Sequence, residues 1–146
     1  MESNDNMTLK GTFALKVFNA KGELLEEYQD ENLIVSGGKN CLAILLSAAN
    51  ANKRVTKIGF GTDATSPSSG DVGLTSSYVK AIDSYSTTDV TSVVFSWTLG
   101  TSEANGKAIQ EFGLIAVDNT LFARKTRSVI NKTSDLRLEG TWRIQF

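Results

Sequence analysis

Residues 136–146 constrain the fold more than any other stretch, because Leu136, Leu138, Gly140, Trp142, Ile144 and Phe146 alternate strictly with Arg137, Glu139, Thr141, Arg143 and Gln145. A period of two puts the first set on one face of a strand and the second on the other. One face must be covered and the other faces water, as in an antiparallel sheet with a single buried side.

The same reading runs through most of the chain. Leu9, Gly11, Phe13, Leu15 and Val17 alternate with Thr8, Lys10, Thr12, Ala14 and Lys16, and Asn19-Ala20-Lys21-Gly22 supplies a turn in which Gly22 can take positive φ. With residues 23–29 as the returning strand, the segment 8–29 is predicted to be a β-hairpin. Strands are predicted at 55–61, 78–85 and 92–99, the last with Val93, Phe95, Trp97 and Leu99 on one face. A β-meander follows, over 109–117, 121–127 and 136–146, with turns at Asp118-Asn119-Thr120 and Lys132-Thr133-Ser134-Asp135. Polar loops lie at 62–73, which holds the only proline, Pro67, and at 100–107.

One segment has a different period. After Asn32-Leu33-Ile34-Val35 and Ser36-Gly37-Gly38, the residues Leu42, Leu45, Leu46 and Ala49 fall on one helical face. The spacing predicts a helix near residues 38–50, started by Ser36 or a neighbouring glycine and ended at Asn50-Ala51-Asn52. About eight short strands and one helix predict a mostly β chain, specifically an antiparallel β-sandwich, jelly-roll-like, with one short α-helix near residues 38–50. At 146 residues, with 40% hydrophobic and 21% charged content, one domain over 1–146 is expected, with 1–7 as a flexible arm.

Composition removes several chemistries. The chain has no histidine, so Ser/His/Asp and Cys/His triads, histidine acid–base work and most zinc sites are excluded. Its one cysteine, Cys41, sits beside Leu42 and Ile44 and is expected to be a small buried hydrophobe. The candidate carboxylates, Asp63, Asp71, Asp83, Asp89, Glu103 and Asp118, lack calcium-loop spacing, and nearly all fall in predicted turns, where such side chains bond nearby amides. Catalytic, cofactor-binding, metal and nucleic-acid-binding residues are therefore all expected to be none, and the chain is read as no enzyme. Arg124, Lys125, Arg127, Lys132, Arg137 and Arg143 suggest a basic strip near Phe122 or Trp142, but alternation places Trp142 opposite Arg137 and Arg143, so nucleic acid is not expected as a partner.

No apolar run reaches the ~20 residues of a membrane span, and the first six residues lack the features of a signal peptide, so residence in a cytoplasm is expected and no membrane partner. Net charge is −1, but it is unevenly spread. Residues 1–31 carry seven acids and three bases, whereas 107–146 carry four acids and seven bases. Such asymmetry either orients copies of a subunit or is scattered, solvated surface charge.

From Asn32 onward the order of segments resembles a family of small tailed-bacteriophage virion proteins, similar in pattern to tail and collar-fibre components. The pieces are Asn32-Leu33-Ile34-Val35 before Gly37-Gly38; Ile58-Gly59-Phe60-Gly61; Gly73-Leu74-Thr75; Ile109 with Glu111-Phe112-Gly113-Leu114; Leu121-Phe122-Ala123-Arg124; and Gly140-Thr141-Trp142-Arg143-Ile144-Gln145-Phe146. The resemblance implies a non-enzymatic particle component, assembled in the host bacterial cytoplasm into the virion. Its implied partners are other virion structural proteins of tail, collar, fibre or capsid, and copies of itself in a homo-oligomer. Within that reading Glu111 is expected to meet a turn amide or a subunit contact. The alternatives are a capsid decoration (cement) protein and a saccharide-binding host-attachment module with Tyr78, Tyr85 or Trp97 in an exposed groove. The loops 62–73 and 100–107 and the hairpin 8–29 are the segments expected to meet neighbours.

Overall fold

In the computed structural model, which describes residues 8–48 and 50–146, the alternation of 136–146 becomes strand β9 (Leu136–Gln145), with Leu138, Trp142 and Ile144 buried. The arm expected over 1–7 and the stripe position Ala49 lie outside the described residues. The remaining elements are β1 (Lys10–Asn19), β2 (Leu24–Ile34), α1 (Ser36–Ala48), β3 (Val55–Gly61), β4 (Tyr78–Ala81), β5 (Ser84–Ser86), β6 (Ser92–Leu99), β7 (Ala108–Ala116) and β8 (Leu121–Asn131). A 3-10 turn at Ala51–Lys53 follows the helix, with the Asn50 side chain accepting from the Asn52 amide.

All nine strands belong to one antiparallel hydrogen-bonded order, β4-β3-β7-β8-β2-β1-β9-β6-β5. β8 and β2 pair only at Leu33↔Arg124 and Ile34↔Ala123, which divides the sheet into a β4-β3-β7-β8 half and a β2-β1-β9-β6-β5 half. The strand expected over 78–85 is in fact two. Its first part pairs with β3 and its second with β6, so consecutive residues stand at both ends of the order. That is possible only because the sheet is curled, with its concave side holding the core. β8 also runs on to Asn131, past the limit of 127 expected for it.

The concave side is filled by aromatic rings from both halves. Phe13 and Trp142 of one half and Phe60 and Phe112 of the other are fully buried, with Phe13 and Phe112 centroids 4.7 Å apart and Phe60 and Trp97 5.3 Å apart in an edge-to-face arrangement. Trp142 Nε1 donates to Asn32 Oδ1 at 2.7 Å, so its polar atom is satisfied inside the core. Gly22 closes the β1–β2 hairpin with φ of +84°, as its place in the turn requires.

Two apolar assignments differ from the alternation and the stripe. Phe146, expected on the core face, lies past the end of β9 and is 42% exposed. Leu46, expected on the packed face of the helix, is 92% exposed. α1 packs instead through Gly38 and Cys41, with Leu42 only partly buried against the core. A Cβ at Gly38 would collide with the Phe122 carbonyl, and one at Gly37 would come within 2.8 Å of the Leu121 carbonyl. Close backbone approach therefore sets the helix face, and leucine spacing does not.

Candidate functional site

The two halves of the sheet differ on their convex side. In β7 the inward residues Phe112, Leu114 and Ala116 are buried, but so are the outward Glu111 and Ile115. The cover is the loop 62–77. Its Leu74 lies over Gly59 and Gly113, which face each other across β3 and β7, and a Cβ would stand 2.7 Å from Leu74 at Gly59 and 3.0 Å at Gly113. Glu111 lies across its strand partner Gly61 in the same way. Three glycines thus leave a slot that the loop fills.

Glu111 holds that loop down. Its Oε2 accepts the Asp63 amide at 3.0 Å and the Thr75 amide at 2.8 Å, while Oε1 accepts Arg124 Nε at 2.9 Å. Arg124, from β8, donates through Nη1 to Asp71 Oδ2 at 3.0 Å and through Nη2 to the Asp63 carbonyl at 3.2 Å. Both Glu111 and Arg124 are buried, so the pair is tolerated only because charge meets charge and the guanidinium nitrogens and both carboxylate oxygens all find partners. The Ser36 amide donates to the Ser69 carbonyl at 2.8 Å and ties the same loop to the start of α1. Sealed beneath its own loop, the cluster is a staple, with its hydrogen-bonding capacity taken up by the chain. Glu111 meets turn amides, as one of its two expected roles required.

A second polar cluster fixes the loop 100–107. Glu103 accepts from Tyr78 Oη at 2.7 Å, Lys80 Nζ at 2.8 Å and the Gly100 amide at 2.9 Å. Burial pushes the Glu103 carboxyl up, but those donors outweigh it and hold it at about 2. Lys80 also donates to the Thr98 carbonyl at 2.6 Å, joining β4 to β6 across the curl. Lys132 is buried behind this loop, with Nζ on Asn105 Oδ1 at 2.9 Å and the Thr133 carbonyl at 3.0 Å, and its burial pushes its pKa down.

Four of the candidate carboxylates accept nearby amides, as turn positions predict. Asp63 accepts the Thr65 amide, Asp71 the Ser68 amide, Asp89 the Thr91 amide and Asp118 the Thr120 amide. Asp83 accepts the Thr98 hydroxyl. The Lys53 ammonium and the Thr120 donors hold Asp118 at about 2.

The basic residues do not form one strip. Arg124 is in the convex staple, Lys125 and Arg127 pair with Asp30 and Glu26 of β2 across the β8–β2 seam on either side of Tyr28, and Lys132 is under the second loop. Arg137 and Arg143 lie on β9, paired with Glu139 and Asp89. Nor do the three aromatics of the saccharide reading share a groove, since Trp97 is core, Tyr78 is held by Glu103 and Tyr85 stands exposed.

Sequence reasoning missed a cleft of about 780 Å³ at the end of β9, walled by Leu42, Val93, Phe95, Ile144 and Phe146. Exposed Tyr85 and Arg54 stand at its edge. Its lining comes from α1, the 3-10 turn, β3, β5, β6, β8 and β9, so no local pattern announces it. Among the described residues no helix is long and apolar enough to cross a membrane.

No family model, no curated protein and no solved structure matches the chain.

Proposed function

We propose that the chain is a non-enzymatic structural component of a tailed-bacteriophage virion, of the tail, collar or fibre-adaptor kind, that acts through protein–protein assembly. The observation that carries this reading is where the resembling segments go. Asn32-Leu33-Ile34-Val35, Ile58-Gly59-Phe60-Gly61, Gly73-Leu74-Thr75, Glu111-Phe112-Gly113-Leu114 and Leu121-Phe122-Ala123-Arg124 all converge on one corner, where β3, β7 and β8 meet the stapled loop and the start of α1. Segments that share an order along the chain here share a packing task, with their charged groups spent on each other. That is the economy of a building block.

A jelly-roll-like sandwich belongs to the same proposal, with the two halves of the curled sheet as its layers. Ring contacts between the halves, Phe13 on Phe112 and Phe60 on Trp97, support it.

The test is mass spectrometry of purified particles with counting of this chain per particle. A small copy number that follows tail or collar proteins is the expected result. A large icosahedral number would make the chain a capsid decoration protein, and absence from particles would overturn the virion reading.

A further inference from the structure

The hairpin β1–β2 and the cleft at the end of β9 stand at opposite ends of the same strands. Asn19 pairs with Leu136 at one end of β1 and Lys10 with Gln145 at the other. At ~3.3 Å per residue those ends are about 30 Å apart. At the hairpin end Leu24 and Leu25 are 49% and 55% exposed, on a segment, 19–31, that carries five acids and one base. At the other end lies the apolar cleft, with Lys53 and Arg54 on its wall beside Asp83. Lys53 is held by Asp118, while Arg54 makes no ion pair among the described residues. Of the hairpin acids Glu26 is held by Arg127, Asp30 by Lys125 and Glu31 by Lys10, Glu27 lies 3.7 Å from Lys16, and Glu23 makes no ion pair among the described residues.

We infer that the cleft receives the Leu24–Leu25 end of a second copy's hairpin, with Glu23 of the hairpin facing Arg54 of the cleft. The contact deepens the assembly reading above by naming its partner and its geometry. A knob at one end and a hole at the other is a heterologous contact, which adds copies head to tail and closes a ring where the rotation allows. Two leucines and one ion pair cover less than the ~1,200 Å² of a standard stable interface, so a single junction is weak and ring closure, by making the last contact intramolecular, holds the assembly together. The charges set which end meets which.

Heterologous contacts have a signature that symmetric ones lack. Leu24→Ser with Leu25→Ser removes the knob and leaves the hole, while Tyr85→Asp with Arg54→Glu blocks the hole and leaves the knob. All four side chains are exposed or half-exposed, so both variants are expected to keep the wild-type thermal midpoint. By sedimentation velocity over a concentration series, the wild-type chain is expected to assemble beyond a dimer and each variant to need at least tenfold higher concentration. Mixed in equal amounts, at the higher concentration a single junction needs, the two variants are expected to go no further than a one-to-one pair. A wild-type chain that stays monomeric overturns the inference, as does assembly that either variant leaves unchanged, or a mixture that grows beyond the pair. A monomer that is nevertheless found in particles would overturn this contact and leave the virion reading standing. An assembling chain absent from particles would do the reverse.

Discussion

The two halves of this sheet share one core and meet water differently. In the β4-β3-β7-β8 half the convex side lies under the stapled loop 62–77, so β7 is buried on both faces. Among the described residues no loop covers the convex side of the other half. Rows of Gln29, Ala14, Thr141 and Ser96, and of Glu27, Lys16, Glu139 and Thr98, cross β2, β1, β9 and β6 there, with Asp83 reaching in at Thr98. The difference shows in which side chains are buried: β9 alternates through its second half and β7 is almost continuously buried. A strand's pattern therefore reports how many of its faces are covered, and the cover can be a loop held by buried ions as well as a second layer of regular structure.

Substitutions can break either half of that contrast or leave it untouched. Trp142→Ala removes a fully buried ring from the shared core and the donor to Asn32, at an expected cost of ~3–5 kcal/mol, and should leave little soluble folded protein. An unchanged thermal midpoint would mean that the bare side of β9 had been misassigned.

Glu111→Leu strikes only the covered half. It strands a buried guanidinium and two loop amides, at an expected cost of about 3 kcal/mol by urea titration, the low end for a broken buried pair because Arg124 keeps Asp71. Adding Arg124→Met is expected to recover part of that loss, since it removes the stranded guanidinium while the Asp63 and Thr75 amides stay without their acceptor. If the double variant is no more stable than the single one, the staple is not a coupled pair.

The second loop should declare itself through pH. Glu103 and Asp118 both have folded-state pKa values depressed to about 2, so the stability they contribute is present above about pH 4.5 and is lost as pH falls towards 2. Glu103→Gln is expected to cost roughly 2 kcal/mol near neutral pH, allowing for its partial exposure, and to flatten the acid limb of the stability profile. An acid limb identical to wild type would remove Glu103 from the forces holding the 100–107 loop. At the other extreme, Thr141→Ala in the middle of the bare face is expected to change stability by no more than ~0.5 kcal/mol.

These contrasts also explain how far the sequence could be read. Strands β1, β3, β6 and β9 stand within a residue or two of their expected limits, because alternation or a bounded apolar run marks them, and the hairpin turn at Gly22 is visible in its residue types. Residues 78–85 read as one strand since nothing local records that the first part serves one end of the sheet and the second part the other. Leu46 was misassigned because α1 packs by the absence of side chains at Gly37 and Gly38, to which a hydrophobic stripe is blind. The length and polarity of the loop 62–73 predict contact with a neighbour, but do not show that Asp63, Ser69 and Asp71 also tie it to its own sheet and helix. A signal for that was present in Gly59, Gly61 and Gly113 flanking Glu111, small residues on adjacent strands around one carboxylate. Only the pairing register turns them into a slot.

The staple's claim is that residues 62–77 belong to the folded unit, and amide hydrogen exchange tests it residue by residue. The Asp63 and Thr75 amides, both bonded to Glu111, are expected to be protected to the same level as the Phe112 amide in β7, while Thr87 in the exposed segment after β5 exchanges freely. Exchange of Asp63 and Thr75 at the rate of Thr87, with Phe112 still protected, would contradict it: the loop would then be an appendage, and the convex side of both halves bare.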